Sequence, residues 1–196
     1  HRVPPIGGRV QAWEEANAPG RDAFRSALGA QGIYGRHIRS LPVCVQVGRL
    51  LFVHGGLAPM WAELGVEGLD MMRREAWGRA PESYQDLAPD GLFRDPLGPL
   101  WHRAYCISEV AAVADDVRSV LARLEAARMV VGHTRTETVS GTHGEPLLRQ
   151  RGQVVMSDVG IGEPGEPGAV LIVEGGHIDV WSPLEGRYPL APVEPV

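Results

Sequence analysis

Lysine is absent from the 196-residue sequence, and all 19 basic residues are arginines. That absence excludes chemistry needing an amine side chain, including Schiff-base and pyridoxal enzymes and Walker-type nucleotide binders, whose lysine sits on phosphate. Cysteine is nearly as scarce. Cys44 and Cys106 are far apart and form no CxxC, so a disulfide scaffold is excluded, and buried free thiols in a reducing, cytoplasmic compartment are expected. Positive charge is in deficit, with a formal net charge of −5; this argues against a general nucleic-acid surface and leaves any anionic substrate to be held by a few local groups. No apolar run approaches the roughly 20 residues of a membrane span, and no signal peptide is recognisable. Neither a membrane nor a nucleic acid is therefore expected as a partner. The first residue is His1 rather than methionine, and the sequence reads as a piece of a longer protein.

What is present suits a folded globular chain: 44% of residues are hydrophobic and 22% charged, and the length fits one domain over 1–196. Residues 1–35 are rich in proline and glycine and read as a wrapping segment with a short helix near 22–28. The β-branched runs 43–47 and 50–53 are joined by Gly48-Arg49, which predicts a hairpin with a type II′ turn. A helix is expected over 67–77, followed by a long ordered loop, 78–99, leading to Leu100-Trp101-His102-Arg103. Apolar residues at 110, 113, 117, 120, 121 and 124 predict a helix from a Ser108 N-cap to about Arg128. Met129-Val130-Val131 then reads as a strand with His133 at its C-terminal end. Further strands at 147–151, 154–157, 169–174 and 177–181 suggest a mostly antiparallel C-terminal half. A proline-rich tail past Trp181 is expected to pack on the surface or fray.

Several motifs are weighed and set aside. Gly160-Ile161-Gly162-Glu163-Pro164-Gly165 matches GxGxxG, but the prolines and the strand predicted next make it a turn-rich loop rather than a dinucleotide site. A cysteine phosphatase loop starting at Cys106 would need arginine at 112, where Ala112 stands. No GxSxG is present. His54 and His133 each end a strand beside small residues, in Val53-His54-Gly55-Gly56 and Val131-Gly132-His133-Thr134. Two readings fit that setting: a pair aimed into a cleft to bind metal or anion, or two hydrogen-bonded structural histidines.

Four strings then occur in a specific order: Phe52-Val53-His54-Gly55-Gly56-Leu57-Ala58-Pro59, Pro99-Leu100-Trp101-His102-Arg103, Val130-Val131-Gly132-His133-Thr134, and Val155-Met156-Ser157-Asp158-Val159-Gly160. Together with Tyr34-Gly35-Arg36 and Leu41-Pro42, they resemble the C-terminal half of the phosphoprotein phosphatase superfamily, in particular the bacterial Shewanella-like phosphatases. The resemblance implies an α/β fold, the calcineurin-like metallophosphoesterase α/β/β/α sandwich, of which this chain supplies mainly the C-terminal part. It implies two divalent metal ions (Mn, Fe or Zn) about 3.5–4 Å apart. His54 and His133 match the two histidine ligands of the second metal, and Arg103 matches the arginine that grips phosphate. Asp158 matches an acidic position usually followed by Thr-Gly but here by Val159, and is expected to support the site through a histidine N–H or a backbone bond rather than to ligate. The implied activity is hydrolysis of phosphomonoesters on phosphoproteins or phosphopeptides, phosphotyrosine more than phosphoserine or phosphothreonine, by direct attack of a metal-bridging hydroxide. The family's N-terminal motifs resembling GDxHG, GDxxDRG and GNHE do not occur in this sequence, so two histidines are the expected donors, and alone they bind metal weakly. Two rival readings are a dinucleoside polyphosphate hydrolase, which shares the sandwich, and a truncated, non-catalytic domain.

Overall fold

A computed structural model describes residues 11–13, 15–16, 18–79, 87–141, 144–161, 168–175 and 177–191. They divide into two compact units, His1–Leu41 and Pro42–Val196.

In the first unit the expected short helix is α1, Ala18–Leu28, and a second helix, α2, Ile33–Ser40, begins where the expected wrapping segment ends. Gly35 is buried at their corner, where a Cβ would fall 1.9 Å from the Gly29 carbonyl oxygen. Only glycine lets the two backbones approach that closely.

The second unit is built on a five-stranded sheet. β1 (Cys44–Val47) and β2 (Leu50–Val53) form the expected antiparallel hairpin, with Val47 opposite Leu50 and Gly48 at φ 57°. A stretch carrying α3 (Pro59–Ala62), α4 (Gly65–Gly78), α5 (Ala104–Ile107) and α6 (Val110–Arg123) then leads to β3 (Arg128–Arg135). α7 (Glu137–Ser140), β4 (Leu147–Arg149) and β5 (Val154–Asp158) follow, giving the strand order β1-β2-β3-β5-β4. A separate antiparallel sheet joins β6 (Val170–Glu174), β7 (His177–Ser182) and β8 (Gly186–Ala191) in that order.

Alternation along the central strands assigns each face of the large sheet. Leu51 and Val53, Met129 and Val131, and Val154 and Met156 turn to one side, where they pack with Leu69, Val117, Val120 and Leu121 of the helices. Leu50, Val130 and Val155 turn to the other and meet Ile178 of the second sheet, with Phe52, Leu148 and Leu171 around them. Each fully buried side chain of this kind contributes about 1.5–3 kcal/mol. Helices, large sheet and small sheet thus form three layers in a mixed α/β unit. No helix among the described residues is long and apolar enough to cross a membrane.

Several expectations are corrected. The C-terminal half is mostly antiparallel as expected, with β4 on β5, β6 on β7 and β7 on β8. However, β3 pairs parallel with β5 and also with β2, the connection from β2 to β3 carrying helices and being long enough for a crossover. α6 begins after Glu109 without a side-chain cap, so Ser108 is not its N-cap. It stops at Arg123 because Glu125 turns left-handed at φ 52° to feed β3. The strand expected to reach Arg151 ends at Arg149, since Gln150 and Arg151 are left-handed at φ 51° and 57°. Of the tail past Trp181, residues 186–191 form β8 rather than fraying, accommodating Pro189 because β8 is an edge strand, and residues 192–196 lie outside the described residues. Of the loop expected over 78–99, residues 80–86 lie outside the described residues. The remainder is pinned by Trp61 Nε1 donating to Asp95 Oδ2 (2.9 Å) and Arg94 Nη1 donating to the Leu87 carbonyl (2.8 Å). Residues 162–167 of the glycine-rich motif also lie outside the described residues.

Candidate functional site

Val53 pairs with Val131 across the parallel β2 and β3, and the Gly132 amide donates to the His54 carbonyl at 2.9 Å. The two histidines therefore leave adjacent strands side by side at their C-terminal ends, where open α/β sheets place their ligands. His133 lies within an irregular stretch of β3, between Val131 and Arg135, with φ 56°. A left-handed non-glycine residue costs about 1–2 kcal/mol. The bend re-aims the imidazole, a common use of strand irregularities at sites.

Gly55 and Gly56 make room for the third contributor. Their amides donate to the Pro99 carbonyl at 2.7 and 3.4 Å, and a Cβ on Gly55 would fall 2.9 Å from the Leu100 carbonyl carbon and the Trp101 nitrogen. The loop before α5 crosses directly over the glycines, which brings Arg103 to the histidines. Tyr105, buried in α5, locks this crossing with a hydroxyl bond to the Leu57 carbonyl (3.1 Å).

The predicted residues converge. His54 Nε2 lies 3.1 Å from His133 Nδ1, and Arg103 Nη2 lies 2.9 Å from His133 Nε2. His54 and Arg103 are exposed and His133 is half-buried, so the cluster opens to solvent. Burial, then the charge of Arg103, then His54 hold the His133 pKa below the ordinary imidazole value, while Asp158 opposes them. Asp158 uses a backbone bond, its Oδ1 accepting from the Gly160 amide at 3.2 Å, and its own carbonyl accepts from the Thr136 amide at 2.9 Å. It thus shapes the turn after β5 and acts on His133 through its field. The two cysteines are buried and free. Burial pushes the Cys44 thiol to about 11 and raises that of Cys106, leaving neither as a ready nucleophile.

Two nearby residues were not singled out in the sequence. Trp101 sets its indole edge-to-face with His133 at 5.3 Å and ties its Nε1 to the Phe93 carbonyl at 2.8 Å. His102 is buried against Tyr105, 4.3 Å between ring centroids, and a Cβ on Gly56 would lie 2.8 Å from its Nδ1. The three-residue spacing of His102 and Tyr105 was the available signal.

The facing nitrogens suit one divalent cation. Two imidazole nitrogens bound at about 2.0–2.1 Å to one tetrahedral or octahedral ion lie roughly 2.9–3.4 Å apart, which includes the spacing of His54 and His133. Among the described residues, no group of three or more histidine, cysteine, aspartate or glutamate side chains is placed to hold a metal. Two neutral donors are what the cluster offers.

The chain matches no protein-family model and no curated protein. Its fold is similar to that of solved cold-active protein tyrosine phosphatases. One superposes with a TM-score of 0.65 at 21% identity, covering 83% of this chain and 46% of that chain. A single-substitution mutant of such an enzyme gives 0.73 at 22% identity, covering 92% and 52%. The enzyme of a psychrophilic Shewanella species gives 0.56 at 20% identity, covering 84% and 47%. The chain therefore spans about half the length of these structures, with which it shares a mixed α/β fold.

Proposed function

We propose that this chain carries the phosphate-gripping half of a metal-dependent phosphomonoester hydrolase site of the calcineurin-like kind, acting on phosphoproteins and chiefly on phosphotyrosine. The observation that carries the reading is the convergence of His54, His133 and Arg103 at the ends of parallel strands. The tyrosine phosphatases that share the fold favour an aryl phosphate over the alternative of a dinucleoside polyphosphate.

In this reading His54 Nε2 and His133 Nδ1 hold one divalent cation. Divalent cations, when bound, supply Lewis acidity toward phosphoryl oxygens and an activated water. Arg103 binds two phosphate oxygens with its planar fork and stabilises charge that grows on them during displacement. Asp158 holds the turn beside His133 and keeps negative charge near the cation. Gly55 and Gly56 let the Arg103 loop lie close to the strand ends, and Trp101 fixes the ring plane of His133.

The test is hydrolysis of a phosphotyrosine peptide with manganese by a form of the protein that turns it over, compared with Arg103→Ala and Arg103→Lys. The alanine variant is expected to lose about 10²–10³ in turnover. The lysine variant should recover little, because an ammonium cannot make the two-pronged contact. Full activity in the lysine variant would contradict the fork, and full activity in both would remove Arg103 from the site.

A further inference from the structure

An arginine side chain can only donate hydrogen bonds. With Arg103 Nη2 at 2.9 Å from His133 Nε2, that nitrogen must be the bare, accepting one. A neutral imidazole carries one proton, so His133 holds it on Nδ1, which faces His54 Nε2 at 3.1 Å. The chain of bonds has one direction: Arg103 donates to His133, and His133 donates to His54.

Resting on the site reading above, we infer that Arg103 is a latch on His133, so that holding a cation and holding Arg103 are alternative uses of one imidazole. While Arg103 sits on Nε2, the proton on Nδ1 closes the space between the two histidines to a cation. A cation held between them needs Nδ1 bare, and a ring that stays neutral must then carry its proton on Nε2. That N–H faces the guanidinium N–H, and two donors cannot bond. Arg103 leaves, and its fork becomes available to a phosphate at the mouth of the cluster. Conversely, a phosphate that draws Arg103 away frees the ring to change tautomer. Each ligand therefore favours the other beyond their direct attraction, and linkage makes the favour reciprocal. The ring's charge does not change in either direction; only the position of one proton does.

The groups around His133 leave Arg103 as the one that sets the tautomer. Trp101 meets the ring edge-to-face and Asp158 bonds to the Gly160 amide, so neither competes for a ring nitrogen. The exposed Arg103 swings out without disturbing the core.

The experiment uses the 196-residue chain with ¹⁵N-labelled histidine, the His133 signals assigned from a His133→Gln variant, and zinc ion and inorganic phosphate as probes. Without metal, His133 is expected to show a protonated Nδ1 and a bare Nε2, and zinc is expected to reverse that pattern. In Arg103→Ala the metal-free preference for Nδ1–H should relax, and zinc should bind more tightly by about tenfold, inside the usual 5–150-fold span of coupling. Zinc should also tighten phosphate binding more in the parent chain than in Arg103→Ala. A bare Nδ1 in the metal-free parent would overturn the latch, as would equal zinc affinity in the two proteins. Tighter zinc binding in Arg103→Ala with the tautomer unmoved would overturn it too, since simple charge repulsion would then suffice. Zinc that binds neither protein, or binds equally well to His54→Gln, would instead overturn the site reading beneath it.

Discussion

His102 shows how a single side chain ties this site to pH. It is 5% exposed, and burial, opposed by the charge of Asp116, holds its pKa below the ordinary imidazole value. The unfolded chain takes up this proton near pH 6.5, whereas the folded chain resists until lower pH. Between those values the unfolded state binds more protons, so the stabilisation is full above about pH 6.5 and is lost as pH falls through the folded value. His133 acts in the same direction. Urea midpoints measured from pH 7.5 to 5 should fall, and those of His102→Phe should fall less; equal declines would show that His102 does not titrate with folding. His54, His133 and Arg103 were visible in the sequence because each stands in a distinctive string of small or aromatic neighbours. The partners of His102 and Tyr105 were not, because their contacts exist only once the Pro99 loop has crossed the two glycines.

Among the elements, strand cores were the legible part and their ends were not. Unbroken apolar runs mark Leu50 to Val53 and Val154 to Met156 directly, since each strand is covered on both faces. The extension of β3 through His133 and the early end of α6 depend on left-handed residues, His133 and Glu125, which carry no turn signature in sequence. β8 was hidden by Pro189, tolerable only at an edge that the sequence does not reveal. The Gly55 turn yields a sharp expectation. Gly55→Ala forces a methyl within 2.9 Å of loop backbone rather than a movable side chain, and such overpacking costs about 1–3 kcal/mol. Urea unfolding should register that loss, and phosphate binding should weaken as Arg103 is displaced. Gly20→Ala, in α1 with nothing within 4 Å, should instead be neutral or stabilising by up to about 1 kcal/mol. A Gly55→Ala protein as stable as its parent would show that the loop does not rest on the strand end.

At the scale of the molecule, the order of the four motifs was legible and the parallel arrangement that unites them was not. Whether two apolar runs pair parallel or antiparallel is decided by what connects them; the helices between β2 and β3 are legible in the sequence, but which strands pair across them is settled only by tertiary packing. The described residues bring two imidazoles and no carboxylate to the candidate cation. Two close divalent ions need negative ligands to offset their repulsion. The 196-residue chain assayed with manganese and a phosphotyrosine peptide is therefore expected to show only trace turnover. A kcat near the common enzyme value of about 10 s⁻¹ would show that the donor set is larger than these two histidines.

The bond from the Gly132 amide to the His54 carbonyl, 2.9 Å long, is the rung that joins the two histidine segments. A rung exchanges its hydrogen with deuterated solvent only while the strands part there, so its lifetime measures how often the cluster opens. Zinc held by both imidazoles should lengthen that lifetime, and an unchanged lifetime would mean that the ion does not bridge them. Gly132 thus lends the site a clock that runs without any substrate being turned over.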